Sequence, residues 1–164
     1  MTGAEAVVIE VERVMTLDHA LADVVPFLAD FSRTEMWDPG TVTCARVDDG
    51  ALAVGAEWDN LSEFRGRRTS LRYRLDRFDA DRLTFVGHNK TATSTDDMRF
   101  EEVGGRTRLT YRARIEFHGL ARLAAPLLKQ EFERLGDGVA ERLPKSVDHA
   151  LGAPPSDPPS ADHV

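Results

Sequence analysis

The chain has 164 residues, 41% of them hydrophobic and 30% charged, which fits a single globular domain with one core. Its formal net charge of −7 argues against general binding to nucleic acid or an anionic membrane, but leaves room for a local basic patch. The single cysteine, Cys44, excludes an internal disulfide and is interpreted as a buried, inert thiol. Neither a signal-peptide pattern nor an apolar run of about 18 residues is present, so a cytoplasmic location is expected.

The first forty residues predict one strand and two short helices. Residues 6–16 alternate between apolar and other side chains, as in a half-buried strand. Asp18 is the predicted N-cap of a helix over residues 19–30. A second helical turn is expected over Arg33–Trp37, where a Pro-Gly pair ends it.

Six strand-like segments follow, most of them separated by short turns rich in Gly and Asp. They are Val42–Val47, Ala53–Phe64, Arg67–Phe78, Arg82–Asn89, Thr93–Val103 and Thr107–Phe117. The two-residue connections Arg65-Gly66 and Gly104-Gly105 are typical of β-hairpins. Strands at this spacing predict a meandering antiparallel sheet.

Between Leu120 and Leu151 the apolar residues recur at steps of three and four, which predicts one long helix whose apolar face packs on the sheet. Pro126 predicts a kink near its start, and Gly136 and Gly138 weaken it by about 1 kcal/mol each relative to alanine. The predicted stripe consists of Leu120, Leu123, Ala124, Leu127, Leu128, Phe132, Leu135, Val139, Leu143 and Val147. The proline-rich residues 151–164 predict a disordered tail after a single domain of residues 1–150.

An arginine-rich run over residues 65–77 raises the question of nucleic-acid binding. Its arginines fall on one face of their strand, and the neighbouring strand carries acidic residues with the same alternation. Glu10 and Glu12 would lie beside Arg112 and Arg114 if the first strand pairs with the last. Cross-strand ion pairs on a solvated outer face are therefore favoured, and no nucleic-acid partner is expected.

The opposite faces of the same strands mix apolar and polar side chains. Asn60, Tyr73 and Tyr111 share their predicted faces with core-forming residues, and Asp96 shares its face with Met98. A buried polar group without a partner costs about 1–3 kcal/mol, so the pattern favours an internal pocket that holds water or a ligand. The alternative is that these groups bond to one another or lie at open strand ends.

Several segments together resemble the START-like, helix-grip (SRPBCC) superfamily, and most closely its polyketide cyclase/dehydrase and lipid-transport branch. They are Phe27–Phe31, Trp37–Gly40, Gly55, Phe100–Tyr111, Gly119-Leu120 and Pro126–Leu128. The resemblance implies an α+β fold in which a seven-stranded curved antiparallel sheet wraps around the long C-terminal helix, with two short helices between strands 1 and 2. It also implies an apolar cavity for lipids, sterols, quinones or polyketides, which some members cyclise or dehydrate.

Motifs for other chemistries are absent from the sequence. The five histidines show no metal-ligand spacing and no cysteine pair exists, so neither a metal nor another cofactor is predicted. Asp96 is the candidate catalytic residue, as an acid or base of raised pKa beside Tyr73 or Tyr111; the alternative is a carboxylate at a strand end in water. Glu131 would direct its carboxylate into the cavity or, alternatively, lie at the helix flank in solvent.

Two functions follow as hypotheses. The first is binding or carriage of a hydrophobic small molecule, such as a lipid, a quinone or a polyketide-like compound; the alternative is a polyketide aromatase/cyclase that uses an internal acid or base. A regulator that binds a partner at the mouth of the groove is a third possibility. The predicted ligand-binding residues are Trp58, Asn60, Leu71, Tyr73, Asp96, Met98, Leu109, Tyr111, Leu127 and Glu131.

Overall fold

The computed structural model describes residues 7–152, which form one curved sheet and several helices. The strands are β1 (Val7–Leu17), β2 (Thr41–Arg46), β3 (Glu57–Phe64), β4 (Arg67–Asp79), β5 (Arg82–His88), β6 (Ala92–Val103) and β7 (Arg106–Phe117). The helices are α1 (Leu21–Ala29), α2 (Thr34–Trp37) and α3 (Ala125–Leu151), with 3-10 helices at Phe31–Arg33 and Gly119–Leu123. The seven strands are antiparallel in the order β1-β7-β6-β5-β4-β3-β2, so the predicted helix-grip fold is confirmed.

The outer face of the sheet is covered by cross-strand ion pairs. Arg112 on β7 lies 3.1 Å from Glu10 and 2.7 Å from Glu12 on β1. Arg72 on β4 lies 2.6 Å from Asp59 on β3. The predicted pairing of charges is confirmed, because the registers of β1 with β7 and of β3 with β4 put arginines such as Arg112 and Arg72 opposite carboxylates.

Two predicted element starts are wrong. Helix α1 begins at Leu21 with Ala20 as its N-cap and no side-chain cap, because two more residues separate Asp18 from the helix. Asp18 instead lies 3.3 Å from Arg106. The strand predicted from Ala53 begins only at Glu57, because the residues before it form a turn in which Gly55 has a φ of 97°.

The long helix also begins later than predicted. The segment Gly119–Leu123 forms a separate 3-10 helix, and Pro126 lies in the first turn of α3, where its missing N–H removes no helical hydrogen bond. Of the predicted apolar stripe, Val139, Leu143 and Val147 are buried in the core, whereas Leu120, Leu123 and Leu127 are exposed. No helix within residues 7–152 is long and apolar enough to cross a membrane.

Helix α3 packs closely against β1 because it carries glycine where the two elements meet. A Cβ atom at Gly136 would lie 2.5 Å from Val11 Cγ1. Ion pairs reinforce this contact, since Arg13 Nη2 lies 2.7 Å from Glu133 Oε2 and Arg13 Nε donates to Asp137 Oδ1 at 3.0 Å. The glycine that weakens the isolated helix therefore allows it to approach the sheet.

The segment between β1 and β2 packs against the concave face of the sheet. The Phe31 ring stacks on Phe85 with centroids 4.3 Å apart, and Trp37 meets Tyr111 edge to face at 5.8 Å. Trp37 thus packs the helical corner against the sheet. The predicted disordered tail, residues 151–164, lies outside the described residues except for Leu151, which ends α3, and Gly152.

Candidate functional site

A carboxyl group is buried on the concave face near the middle of the sheet. Asp96 on β6 is only 6% exposed, because alternate residues of this strand face the core. The Tyr111 hydroxyl on β7 donates a hydrogen bond of 2.8 Å to Asp96 Oδ1. Asp96 therefore points inward beside a tyrosine, as predicted, and does not lie at a solvated strand end.

Burial raises the pKa of Asp96 to about 7. A hydrogen bond from Tyr111 opposes this shift, the charge of Asp38 adds to it, and a hydrogen bond with Tyr73 opposes it again. Removing a carboxylate from water destabilises its charged form. Near neutral pH, Asp96 is therefore able both to donate and to accept a proton.

Tyr73 on β4 completes this cluster. A Cβ atom at Gly87 on β5 would lie 2.7 Å from Tyr73 Cζ, so the tyrosine ring lies directly on the glycine of the next strand. Burial and the nearby Asp96 charge raise the pKa of Tyr73 well above its ordinary value, while a hydrogen bond with Ser94 opposes the shift. Both tyrosines consequently stay protonated, and the Tyr111 proton is shared with Asp96.

A second polar network runs from β3 to the corner after α2. The Ser62 hydroxyl donates to Asn60 Oδ1 at 2.6 Å, and Asn60 Nδ2 donates to Thr41 Oγ1 at 3.2 Å. Thr41 in turn donates to Asp38 Oδ2 at 2.9 Å. For Asn60, as for the pair of Tyr111 and Asp96, the structure shows the alternative interpretation, in which the polar groups form hydrogen bonds within the protein.

Asp38 was not among the predicted site residues. Burial raises the pKa of Asp38, and hydrogen bonds from Gly40 N–H and the Thr41 hydroxyl oppose this shift. Because an Asp-Pro-Gly sequence is typical of a turn, the pattern alone identified only a structural role. Its influence on Asp96 depends on the packing of α2 against the sheet.

The remaining predicted residues fall into three groups. Trp58, Met98 and Leu109 are fully buried members of the packed core. Leu71 is half-buried at the edge of that core. Leu127, in contrast, is 72% exposed, so its predicted contact with an interior ligand is not supported by its position.

Glu131 lies at the rim between α3 and the β3–β4 turn. Its carboxylate oxygen is 3.7 Å from Arg65 Nε and 3.4 Å from Arg134 Nη1. Next to it, Phe132 stacks on Phe64 with centroids 4.8 Å apart. This arrangement matches the alternative interpretation of Glu131 as a flank residue.

Two buried indole groups lack hydrogen-bond partners within residues 7–152. They are Trp37 Nε1 and Trp58 Nε1, whose rings both pack near Phe31. A buried N–H group without an acceptor costs free energy of folding. A ligand that brings an acceptor atom into the interior would therefore be stabilised by a hydrogen bond from either indole.

A separate surface groove of about 230 Å³ lies between α2 and the C-terminal part of α3. It is lined by Met36, Arg142, Lys145, Ser146 and His149. None of the predicted ligand-binding residues contributes to it. Within residues 7–152, His, Cys, Asp and Glu side chains do not form a group that would hold a metal ion.

Comparison with solved structures agrees with the fold. The Zhui aromatase/cyclase from a Streptomyces species superimposes with a TM-score of 0.75 at 14% identity, over 92% of this chain and 100% of that one. A Thermus thermophilus protein gives a TM-score of 0.72 at 13% identity over 88% and 99% of the two chains. A START superfamily protein from Mycobacterium smegmatis gives 0.70 at 12% identity over 86% and 98%.

Comparison by sequence identifies one family. No curated protein matches this chain. The family described as "Polyketide cyclase / dehydrase and lipid transport" matches residues 8–147, which is most of its length. The chain therefore belongs to the polyketide cyclase/dehydrase and lipid transport family.

Proposed function

We propose that the protein binds a hydrophobic small molecule, such as a lipid, a quinone or a polyketide-like compound, between the concave face of the sheet and α3. The observation that carries this proposal is the cluster of Asp96, Tyr73 and Tyr111 on an otherwise apolar face. The family to which the chain belongs supports a ligand-binding fold.

The surroundings of the cluster suit a ligand with an apolar body and one or two oxygen atoms. Burial of apolar ligand surface contributes about 25 cal/mol per Å². Protonated Asp96 offers a donor, and the Tyr111 hydroxyl oxygen, whose proton goes to Asp96, offers an acceptor; together they fix the orientation of a carbonyl or hydroxyl group. The free indole N–H groups of Trp37 and Trp58 offer two more donors.

Native mass spectrometry of protein purified from its own host, followed by a panel of lipids, quinones and aromatic polyketides, tests the proposal. We expect a retained or exchangeable ligand whose affinity falls about tenfold in Asp96→Asn, which keeps the shape but changes the donor pattern. Glu101→Gln, on the outer face of the same strand, is the matched control and should bind normally. Absence of any bound compound across the panel would contradict the proposal.

A second function, aromatase/cyclase activity, is favoured by one specific observation. Asp96, whose pKa is about 7, lies 2.8 Å from a tyrosine hydroxyl, as an internal acid–base group requires. Ionised Asp96 would take a proton from the carbon between two ketone groups, and the resulting enolate would attack a third ketone of the same chain. The protonated carboxyl would then return its proton to the new alkoxide.

Turnover measured with a poly-β-ketone substrate distinguishes the two functions. If Asp96 is the base, Asp96→Asn lowers turnover by about 100-fold or more, and wild-type turnover rises with pH through about 7 as the carboxyl ionises. Binding of the compound without any change to it would support the carrier function alone. Unchanged turnover in Asp96→Asn would remove this residue from the mechanism.

A further inference from the structure

Three leucines that lie within eight residues of one another are exposed where β7 leads into α3. Leu120 is 85%, Leu123 69% and Leu127 72% exposed, and their spacing of three and four follows a helical face across the 3-10 helix and the first turn of α3. Single exposed leucines are common, but three at helical spacing mark a surface that another apolar phase covers. We name Leu120, Leu123 and Leu127 the leucine patch.

The leucine patch lies at the most basic end of the molecule. Because all neighbouring strands are antiparallel, the β3–β4 turn, the β5–β6 loop and the β7–α3 connection lie at this same end. Its cationic residues are Arg65, Arg67, Arg68, Lys90, Arg122 and Lys129. Its described carboxylates are Asp38, Glu63, Glu116 and Glu131. Asp38 accepts hydrogen bonds from Gly40 and Thr41, Glu116 lies beside Arg114, and Glu131 lies beside Arg65 and Arg134.

The opposite end of the sheet carries seven carboxylates, but most of them are paired with arginines. Of Asp18, Asp48, Asp49, Asp79, Asp81, Glu101 and Glu102, four lie beside an arginine: Asp18 beside Arg106, Asp48 beside Arg46, Asp79 beside Arg77 and Glu101 beside Arg108. The chain thus has a net charge of −7 and yet presents a basic, leucine-bearing end. Such a charge distribution turns that end toward a negatively charged surface.

We propose that the leucine patch and the cations around it dock the protein reversibly on an anionic lipid bilayer. Leucines inserted among the acyl chains combined with Lys and Arg near the headgroups are the two signals that peripheral attachment requires. The proposal goes beyond ligand binding and does not depend on it. A bilayer fits better than a neutral protein partner, because cations lie at the same end of the sheet as the apolar residues.

Co-sedimentation of the full chain with vesicles tests the proposal. We expect binding to phosphatidylcholine vesicles that contain about a quarter phosphatidylglycerol, weakening as salt is raised, and little binding to phosphatidylcholine alone. Leu120→Ser/Leu127→Ser should lower the partition coefficient at least about tenfold. Val54→Ser, a residue that is 56% exposed at the opposite end, is the control and should bind as the wild type does.

A second pair of variants tests the contribution of the basic residues to vesicle binding. Lys90→Glu/Lys129→Glu should abolish the preference for anionic vesicles, whereas Arg77→Glu/Arg106→Glu changes the net charge equally at the other end and should retain it. Thermal unfolding confirms that each variant is folded, and binding of a hydrophobic dye reports the interior site separately. Equal sedimentation of the leucine variant and the wild type, or a leucine-dependent dimer that ignores vesicles, would overturn the proposal.

Discussion

The Tyr111 hydroxyl donates a 2.8 Å hydrogen bond to Asp96 inside the sheet, where Asp96 has a pKa of about 7. The two residues lie on neighbouring strands, β7 and β6, and both side chains point to the concave face. The ionisation of Asp96 is therefore linked to the stability of the fold, to the orientation of a ligand and to the proposed acid–base chemistry.

The stability of the protein should fall as the pH rises from about 4 to about 7. The pKa of Asp96 is raised in the folded state, so its protonated form favours folding, and this contribution is lost as pH passes the folded pKa. A shift from 3.8 to about 7 corresponds to on the order of 4 kcal/mol. Urea unfolding at several pH values should show Asp96→Asn with a much smaller decline.

Some decline should persist in Asp96→Asn because the pKa of Asp38 is also raised. The pKa of Asp97 is lowered, so its contribution is lost only below about pH 4 and does not affect this window. Parallel stability curves for the wild type and Asp96→Asn would show that Asp96 titrates normally.

Tyr111→Phe should raise the pKa of Asp96 further, because the lost hydrogen bond favours the charged carboxylate. Above pH 7 the variant should also lose about 1–3 kcal/mol of unfolding free energy, since a buried charge has one donor fewer. Carbon-13 NMR titration of the Asp96 carboxyl measures the shift directly. Tyr73→Phe, which removes the weaker of the two bonds, should produce a smaller change in the same direction.

Gly87→Ala should destabilise the protein by about 1–3 kcal/mol and alter ligand binding, because the new methyl group would overlap the Tyr73 ring at 2.7 Å. Chemical denaturation and dye binding measure the two effects. Gly50→Ala is the control, since a Cβ there has no neighbour closer than 3.6 Å. An undisturbed Gly87→Ala protein would mean that Tyr73 has another position available.

Gly136→Ala should destabilise the protein, although the same change inside an exposed helix stabilises it by about 1 kcal/mol. The added Cβ would lie 2.5 Å from Val11 Cγ1 and push α3 away from β1. Denaturation of the wild type, Gly136→Ala, Val11→Ala and the double variant forms a double-mutant cycle. We expect a favourable coupling energy, because the shortened Val11 side chain makes room; additive effects would argue against this contact.

Local sequence patterns were sufficient for the order of the elements. Alternating residues identified the strands, two-residue turns at Arg65-Gly66 and Gly104-Gly105 identified hairpins, and both hairpins are present. Element boundaries were less accurate at Asp18 and Ala53, because a cap or strand start depends on the path of the chain as well as on residue type.

The candidate site was only partly predictable. Asp96, Tyr73 and Tyr111 were found because strand alternation places them on one face. Asp38 was missed, and Leu127 was assigned to the interior although it is exposed, because both positions depend on how helical segments meet the sheet.

The sequence by itself determined a meandering antiparallel sheet, a long final helix and a polar group of residues on the inner face, since these follow from periodicities of two and 3.6 residues. Only the tertiary structure decided that Asp96 is buried against Tyr111, that Gly87 and Gly136 are sites of close approach, and that the leucine patch faces outward. The reason is physical: desolvation and steric contact arise between residues distant in the chain, and no local pattern records them.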